Sequence, residues 1–359
     1  NTAVGASAGN LVTTGIQNTL IGGGAGDALT DADSNVAIGY LALSTDTLGS
    51  KSVAIGRRSL FTQNFTTATD SYNTAVGFET GYSITTGKFN TLIGGLAGDA
   101  ITTAVRNVAV GYEALSTTQL GDYSVAVGDG ALKTQNFATA TNAFNVAVGA
   151  SAGTAVTTGV NNTLIGGQCG DALTTAEGNV AVGYASFSES TKSAQNTAVG
   201  VLALQNLNHT TATNAYNVAV GGSAARNITT GIENTIIGGL AGDALTDADH
   251  NVAVGTLALG ADTLGTRSIA IGYAALTTQN FTTATNAYNV AVGHGAGNNL
   301  TTGVRNEFIG GLAGLANTTG SNNVAIGLSS LEGNTVGSKS IAIGSNTLGL
   351  QNPSTATDM

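Results

Sequence analysis

The sequence predicts an all-β fold, a parallel β-roll solenoid, and two observations support this prediction. A five-residue unit, first seen as Asn1-Thr2-Ala3-Val4-Gly5, occurs twenty times along the 359 residues. Successive units start 17, 17, 17 and 21 residues apart, and this set of four spacings repeats along the chain. A fixed period of this size is typical of a solenoid, in which each repeat forms one coil.

These spacings predict about twenty coils of 17 or 21 residues. No linker or change of composition interrupts the period, so we interpret residues 1–359 as one continuous β-solenoid, against the two domains that the length alone suggests. Four coils make one superrepeat. The superrepeats cover residues 1–72, 73–144, 145–216, 217–288 and 289–359.

We number the columns of a coil from the residue that starts its unit. Column 5 is Gly in every copy, which indicates a positive φ or a close backbone contact. Column 4 is Val or Ile, and column 2 is Thr, Val or Ile except at Glu307; β-branched residues favour a strand. Column 1 is Asn or Ser, which suits a turn that hydrogen-bonds its own backbone, and stacked coils can align these side chains in a ladder.

Column 3 is Ala in fifteen copies and Leu, Ile or Phe in the others. Columns 2 and 4 point to one face of the strand and column 3 to the other, so both faces are apolar and need cover. A thin coil has only one interior. We therefore expect column 3 inside the roll and column 4 against sister chains of a homotrimer. The predicted trimer and core packing residues are Val4, Ile21, Ile38, Ile55, Val76 and Ile93.

The fourth coil of each superrepeat is four residues longer and carries an aromatic loop. One interpretation is a row of exposed aromatic side chains that bind a receptor. The other, which we favour, is a loop folded down over the flank of the roll, because Phe in loops more often packs than binds. The candidate receptor-binding residues under the first interpretation are Phe65, Phe137, His209 and Phe281.

We expect no catalytic site, no metal site and no cofactor, because no nucleophile–base pair or recurring carboxylate pair stands out. His209, His250 and His294 lie in different columns, and we interpret them as surface substitutions. Cys169 falls in column 8, where Ala dominates, and we interpret it as a buried substitute for Ala.

A weak cation site at Asp27, Asp31 and Asp33 is an open alternative. The same three acids recur in the fourth superrepeat, but the two intermediate superrepeats keep only the first of them. Copies lie at least one whole superrepeat apart, whereas calcium-binding solenoids share ions between adjacent turns. This spacing counts against a calcium site.

Composition excludes several classes of partner. A net charge of −10 with charged residues at 9% argues against nucleic acid and against anionic membrane surfaces. No run of eighteen apolar residues occurs, so we expect no membrane insertion by this segment. The single cysteine excludes an internal disulfide framework.

Three of the units, Ser52-Val53-Ala54-Ile55-Gly56, Ser268-Ile269-Ala270-Ile271-Gly272 and Asn323-Val324-Ala325-Ile326-Gly327, resemble the head repeats of the YadA-like trimeric autotransporter adhesins. Similar units occur in phage tail fibres. The resemblance covers the whole chain and implies a left-handed parallel β-roll with three chains around one axis. Two features depart from the adhesins: the coils are longer than the usual repeat, and this sequence contains no coiled-coil stalk or membrane anchor.

Together these observations predict a fibrous structural protein and not an enzyme. The first expectation is the shaft or head of a phage tail fibre, located in the virion, that projects host-receptor binding. The alternative is the head of a bacterial surface adhesin, located at the cell surface. A more remote alternative is a polysaccharide-degrading β-helix enzyme, which would need a charged cluster that breaks the repeat. A further alternative is ice binding by flat arrays of Thr. The Thr-Thr-Gly turn of this chain recurs only once in each superrepeat, which is too sparse for a flat lattice. The expected partners are sister chains and a cell-surface glycan or protein receptor.

Overall fold

A computed structural model describes residues 1–353, 355 and 358. Throughout these residues the chain is all-β, contains no helix and forms a parallel β-solenoid of about twenty turns. The chain divides into two units, Asn1–Gly178 and Asn179–Met359. Each unit contains ten of the coils that the sequence predicts, so the predicted fold class is confirmed at the level of a parallel β-solenoid.

Ten three-residue strands and four two-residue strands form the first unit. The three-residue strands occupy columns 2 to 4 of successive coils. The strands are β1 Thr2–Val4, β2 Thr19–Ile21, β3 Val36–Ile38, β4 Gly49–Ser50, β5 Val53–Ile55, β6 Thr69–Asp70, β7 Thr74–Val76, β8 Thr91–Ile93, β9 Val108–Val110, β10 Gly121–Asp122, β11 Val125–Val127, β12 Thr141–Asn142, β13 Val146–Val148 and β14 Thr163–Ile165.

Over its described residues, the second unit also has ten three-residue strands and four two-residue strands. Its strands are β15 Val180–Val182, β16 Ser193–Ala194, β17 Thr197–Val199, β18 Thr213–Asn214, β19 Val218–Val220, β20 Thr235–Ile237, β21 Val252–Val254, β22 Gly265–Thr266, β23 Ile269–Ile271, β24 Thr285–Asn286, β25 Val290–Val292, β26 Glu307–Ile309, β27 Val324–Ile326 and β28 Ile341–Ile343.

Within each unit, the three-residue strands of neighbouring coils pair in parallel, column against column. Ala3 lies beside Leu20, for example, and Leu20 beside Ala37. The two-residue strands pair only where a long coil follows a short one, as β4 with β6. The offset between neighbouring coils rises from 17 residues at Thr47 and Asn64 to 20 at Gly49 and Thr69, so most of the insertion lies in the loop just before this shorter ladder.

Column 3 forms the interior, as predicted. Leu20 exposes 1% of its surface and the Ala residues at 37, 54 and 75 expose none. Column 8 is also buried, and Cys169 lies there with its surface fully covered, which confirms its interpretation as an Ala substitute. Burial raises the pKa of the Cys169 thiol to about 12, so the thiol stays protonated at neutral pH.

The Gly of column 5 is required by its backbone. Gly22 has φ +136°, and a Cβ added there would lie 2.5 Å from the carbonyl oxygen of Gly39 in the next coil. No side chain fits at that distance, and few residues adopt that φ. The sequence did not predict that Leu41 and Leu43, in columns 7 and 9, also have positive φ values of 55° and 52°.

The side chains of column 1 form the predicted ladder, and their hydrogen bonds link neighbouring coils. The Asn107 backbone amide donates to Oδ1 of Asn90 at 3.0 Å, while Asn107 Nδ2 donates to the Gly121 carbonyl oxygen at 2.9 Å. Asn107 Oδ1 in turn accepts from the Ser124 amide at 2.8 Å. One buried carboxamide thus satisfies backbone groups that the three-residue strands leave unpaired.

Candidate assembly surface

The outward strip consists of columns 2 and 4 of successive coils. Its side chains alternate with the buried column 3, so each strand is covered on one face and accessible on the other. Ile38, Ile55 and Val76 are part-exposed. The exposed fractions of Val4, Ile21 and Ile93 are 57%, 38% and 41%. The six side chains therefore point away from the interior. Their contact with sister chains stays a prediction.

Aromatic side chains flank the outward strip on both sides along the chain. Column 6, just after the key Gly, exposes Tyr40, Phe78 and Tyr112 by 50% or more. The last residue of each coil, which we call the closing column, exposes Tyr72 and Phe144 by 50% each. Exposed aromatic residues beside an apolar patch are typical of interaction surfaces.

The closing column forms a continuous stack of side chains over six coils of the first unit. Lys51 lies over the ring of Tyr72, which stacks on Phe89 with ring centroids 5.8 Å apart. Arg106 contacts the rings of both Phe89 and Tyr123. Tyr123 and Phe144 are 5.2 Å apart. The ring faces are therefore occupied by neighbours in the same column, which leaves the ring edges for contact with another molecule.

The aromatic loop of the long coil is folded down, and its candidate receptor-binding side chains are buried. Phe65, Phe137, His209 and Phe281 expose only 5%, 6%, 8% and 6%. The ring of Phe65 covers Gly49 of the preceding coil, where an added Cβ would lie 2.7 Å from it. These side chains offer almost no surface to a receptor. The loop is folded down over the flank of the roll, as in the second interpretation.

His209 is buried, so its interpretation as a surface substitution is wrong. Its Nδ1 lies 2.8 Å from Ser193 Oγ and its Nε2 lies 3.0 Å from the Thr230 carbonyl oxygen. Ser193 occupies the position of Gly49, so Ser and His replace Gly and Phe together in this superrepeat. A polar ring is tolerated here because both of its nitrogens have partners. His250 and His294 are exposed, the first beside Glu233 and the second against Tyr273.

A buried carboxylate supports the aromatic loop in two superrepeats. Asp46 is fully buried and accepts hydrogen bonds from Gln63 Nε2 at 2.6 Å and from the amides of Gly49 and Phe65 at 3.0 and 3.1 Å. Burial raises the pKa of the Asp46 carboxyl, and these hydrogen bonds partly oppose the rise. Asp262 has the same arrangement and the same direction of shift. Their acceptor sites are occupied by the loop, which gives both carboxylates a structural role.

Two of the three acids that the sequence suggested as a weak cation site, Asp31 and Asp33, form hydrogen bonds to the neighbouring coil. Asp33 Oδ1 accepts from the Ile16 amide at 2.8 Å, and Asp31 Oδ1 accepts from Thr14 Oγ1. No group of three or more His, Cys, Asp or Glu side chains within the described part of the chain has a geometry that could hold a metal ion. Asp31 and Asp33 therefore act as hydrogen-bond acceptors that cap groups of the neighbouring coil.

Over residues 1–353, 355 and 358, no helix is long and apolar enough to span a membrane. The comparisons with protein-family models and with curated proteins found no match for this chain.

Proposed function

We propose that this chain is a structural segment of a homotrimeric surface fibre, in which sister chains cover one another's outward strips. The exposure of columns 2 and 4 on strands whose other face is buried carries this proposal. Ile93 exposes 41% of its surface while its neighbour Leu92 exposes none. Soluble monomers rarely leave a long apolar patch in water, and identical chains offer identical, complementary strips.

The fibre that we propose is a phage tail fibre of the virion, with a left-handed roll that projects host-receptor binding. The repeat units that resemble tail-fibre and adhesin repeats support this part of the proposal. A bacterial adhesin head is supported by the same units. The reading frame around this segment distinguishes the two: a membrane-anchor barrel identifies an adhesin, and a baseplate-attachment or chaperone module identifies a viral fibre.

The role that we propose is mechanical. The buried carboxylates Asp46 and Asp262 are engaged by Gln63, Gln279 and backbone amides, so these two acids serve the fold. Repetition offers the same weak contact many times along one assembly, and many weak contacts sum to a firm attachment.

A charge placed on the outward strip tests the assembly. Val110 lies in column 4 of a central coil and is part-exposed, so Val110→Asp leaves a single chain folded but places three carboxylates in the shared interface. Light scattering after size exclusion gives the mass of each assembly. We expect three times the 35.2 kDa of one chain for the wild type and the mass of one chain for the variant.

The matched control is Thr103→Asp, because Thr103 is exposed outside the outward strip. We expect this variant to keep the mass of the wild type. Equal masses for both variants and the wild type would contradict the proposed use of the strip.

A further inference from the structure

One residue breaks the apolar character of the outward strip. Glu307 stands in column 2 of β26, where the other nineteen copies have Thr, Val or Ile. Its strand neighbours in the same column are Val290 and Val324. Glu307 is exposed, and neither an ion pair nor a side-chain hydrogen bond joins it to another of the described residues.

A carboxylate in this place conflicts with a covered strip unless it has a partner. Covering an unpaired charge with apolar side chains is strongly unfavourable, whereas a paired and hydrogen-bonded charge is tolerated. A cation must therefore reach Glu307 when the strip is covered. This step rests on the proposed homotrimer, because the strip is open on a single chain.

Arg305 is the cation nearest along the strand. It is the closing residue that precedes β26, is exposed, and also forms no ion pair within the part of the chain that the structure describes. Its backbone is held by the bond from its amide to the Ala287 carbonyl oxygen at 2.8 Å. Its guanidinium thus remains available for a carboxylate outside its own chain.

The two charges occur together in a single superrepeat. At the position of Glu307 the other superrepeats have Thr19, Thr91, Thr163 and Thr235. At the position of Arg305 they have Gln17, Phe89, Asn161 and Glu233. Glu307 alone breaks its column, and Arg305 stands two residues away on the same strand end. Neither is paired within the described part of the chain, which indicates compensation between chains.

We propose that Glu307 pairs with Arg305 of a neighbouring copy and thereby fixes the register of the assembled chains. A rotation axis parallel to the stack of coils brings equivalent strands of all copies to the same height. Residues 305 and 307 then meet at one level, and a slip by one coil places Glu307 against the apolar strip. Such a charge adds specificity more than affinity.

Charge reversal with mixing tests this pairing. In Glu307→Arg, each strand end carries two cations, and in Arg305→Glu it carries two anions. We expect each variant alone to associate about ten-fold more weakly than the wild type, or weaker still. When the two differently tagged variants are refolded together, we expect mixed trimers above the statistical proportion by native mass spectrometry.

The control Glu189→Arg reverses an exposed acid in the outer half of another coil, and we expect wild-type association. Single variants that associate like the wild type, or mixtures with statistical composition, would overturn the pairing while leaving the trimer intact. A monomeric wild type would instead overturn the proposed function, and the pairing with it.

Discussion

Gln63 donates a hydrogen bond from Nε2 to Ser52 Oγ at 2.8 Å, and this contact replaces a missing member of the Asn ladder. Ser52 starts a long coil, and its short side chain cannot reach the next coil. Gln63 fills the gap, because its Oε1 accepts from Asn73 Nδ2 at 2.9 Å. The third superrepeat uses another solution: Asn196 restores the carboxamide, and Leu207 replaces the Gln.

The exchange of Ser and Gln for Asn and Leu predicts strong energetic coupling between the equivalent residues of the second superrepeat, Ser124 and Gln135. In the second superrepeat Gln135 links Ser124 and Asn145, so Gln135→Leu should lower the free energy of unfolding by about 1–3 kcal/mol through unsatisfied buried groups. Adding Ser124→Asn should recover most of this loss, with a coupling energy of about 1–3 kcal/mol in a double-mutant cycle. Additive effects in denaturant unfolding would contradict the exchange.

The Asn ladder predicts a large cost for one truncated carboxamide. Asn107→Ala leaves the Gly121 carbonyl oxygen and the Ser124 amide without their partner, and each unsatisfied buried group costs about 1–3 kcal/mol. Asn136→Ala is the matched control, since Asn136 is exposed. We expect a clear loss of unfolding free energy for the first and less than about 0.5 kcal/mol for the second.

The Gly of column 5 predicts a severe loss for the smallest possible substitution. In Gly111→Ala the new Cβ would lie 2.4 Å from the Gly128 carbonyl oxygen at a φ of +136°. We expect a loss on the order of 3 kcal/mol or more. Gly239→Ala has open space around the added Cβ and should be tolerated. Similar thermal midpoints for the two variants would contradict this prediction, because neighbouring coils would then move apart to admit the new Cβ without loss of stability.

Asp99 predicts a dependence of stability on pH. Burial, reinforced by the negative charges of Glu113 and Glu79, raises the pKa of Asp99 to about 6. Between the unfolded value near 4 and this value the folded chain binds more protons, so this group lowers stability as the pH rises through that range. Asp99→Asn removes the effect, and we expect a gain of about 1 kcal/mol at pH 7, since solvent screens a part-exposed carboxyl.

Unfolding free energies at pH 4 and pH 7 check this expectation. Asp99→Asn should differ from the wild type mainly at the higher pH. Glu189→Gln, which removes an exposed acid, should follow the wild type at both. A variant that gains nothing at pH 7 would contradict the sign of the Asp99 contribution.

The repeat made the coil itself predictable, because every position was sampled twenty times. Ala37 in the interior, Gly22 in the strained corner and Cys169 in the small column all follow from one alignment of columns. The orientation of Ile38 follows from the alternation of a strand. These features depend on local geometry that each coil repeats.

The contacts between unlike coils were not predictable in the same way. Phe65 is buried because Gly49, sixteen residues earlier, lies beneath its ring, and only the stacking of a long coil on a short one brings them together. The stack from Lys51 to Tyr72 likewise depends on how coils of different length align. The sequence favoured a packed loop, but it could not name Gly49 and Asp46 as the partners of Phe65, because these contacts depend on how a long coil stacks on a short one.

The central claim is that sister chains cover the outward strip. Sedimentation equilibrium of the wild-type chain over a range of micromolar concentrations measures this directly. We expect one species with three times the 35.2 kDa mass of a single chain. A single species of 35.2 kDa at every concentration, with the strip open to water, would contradict it.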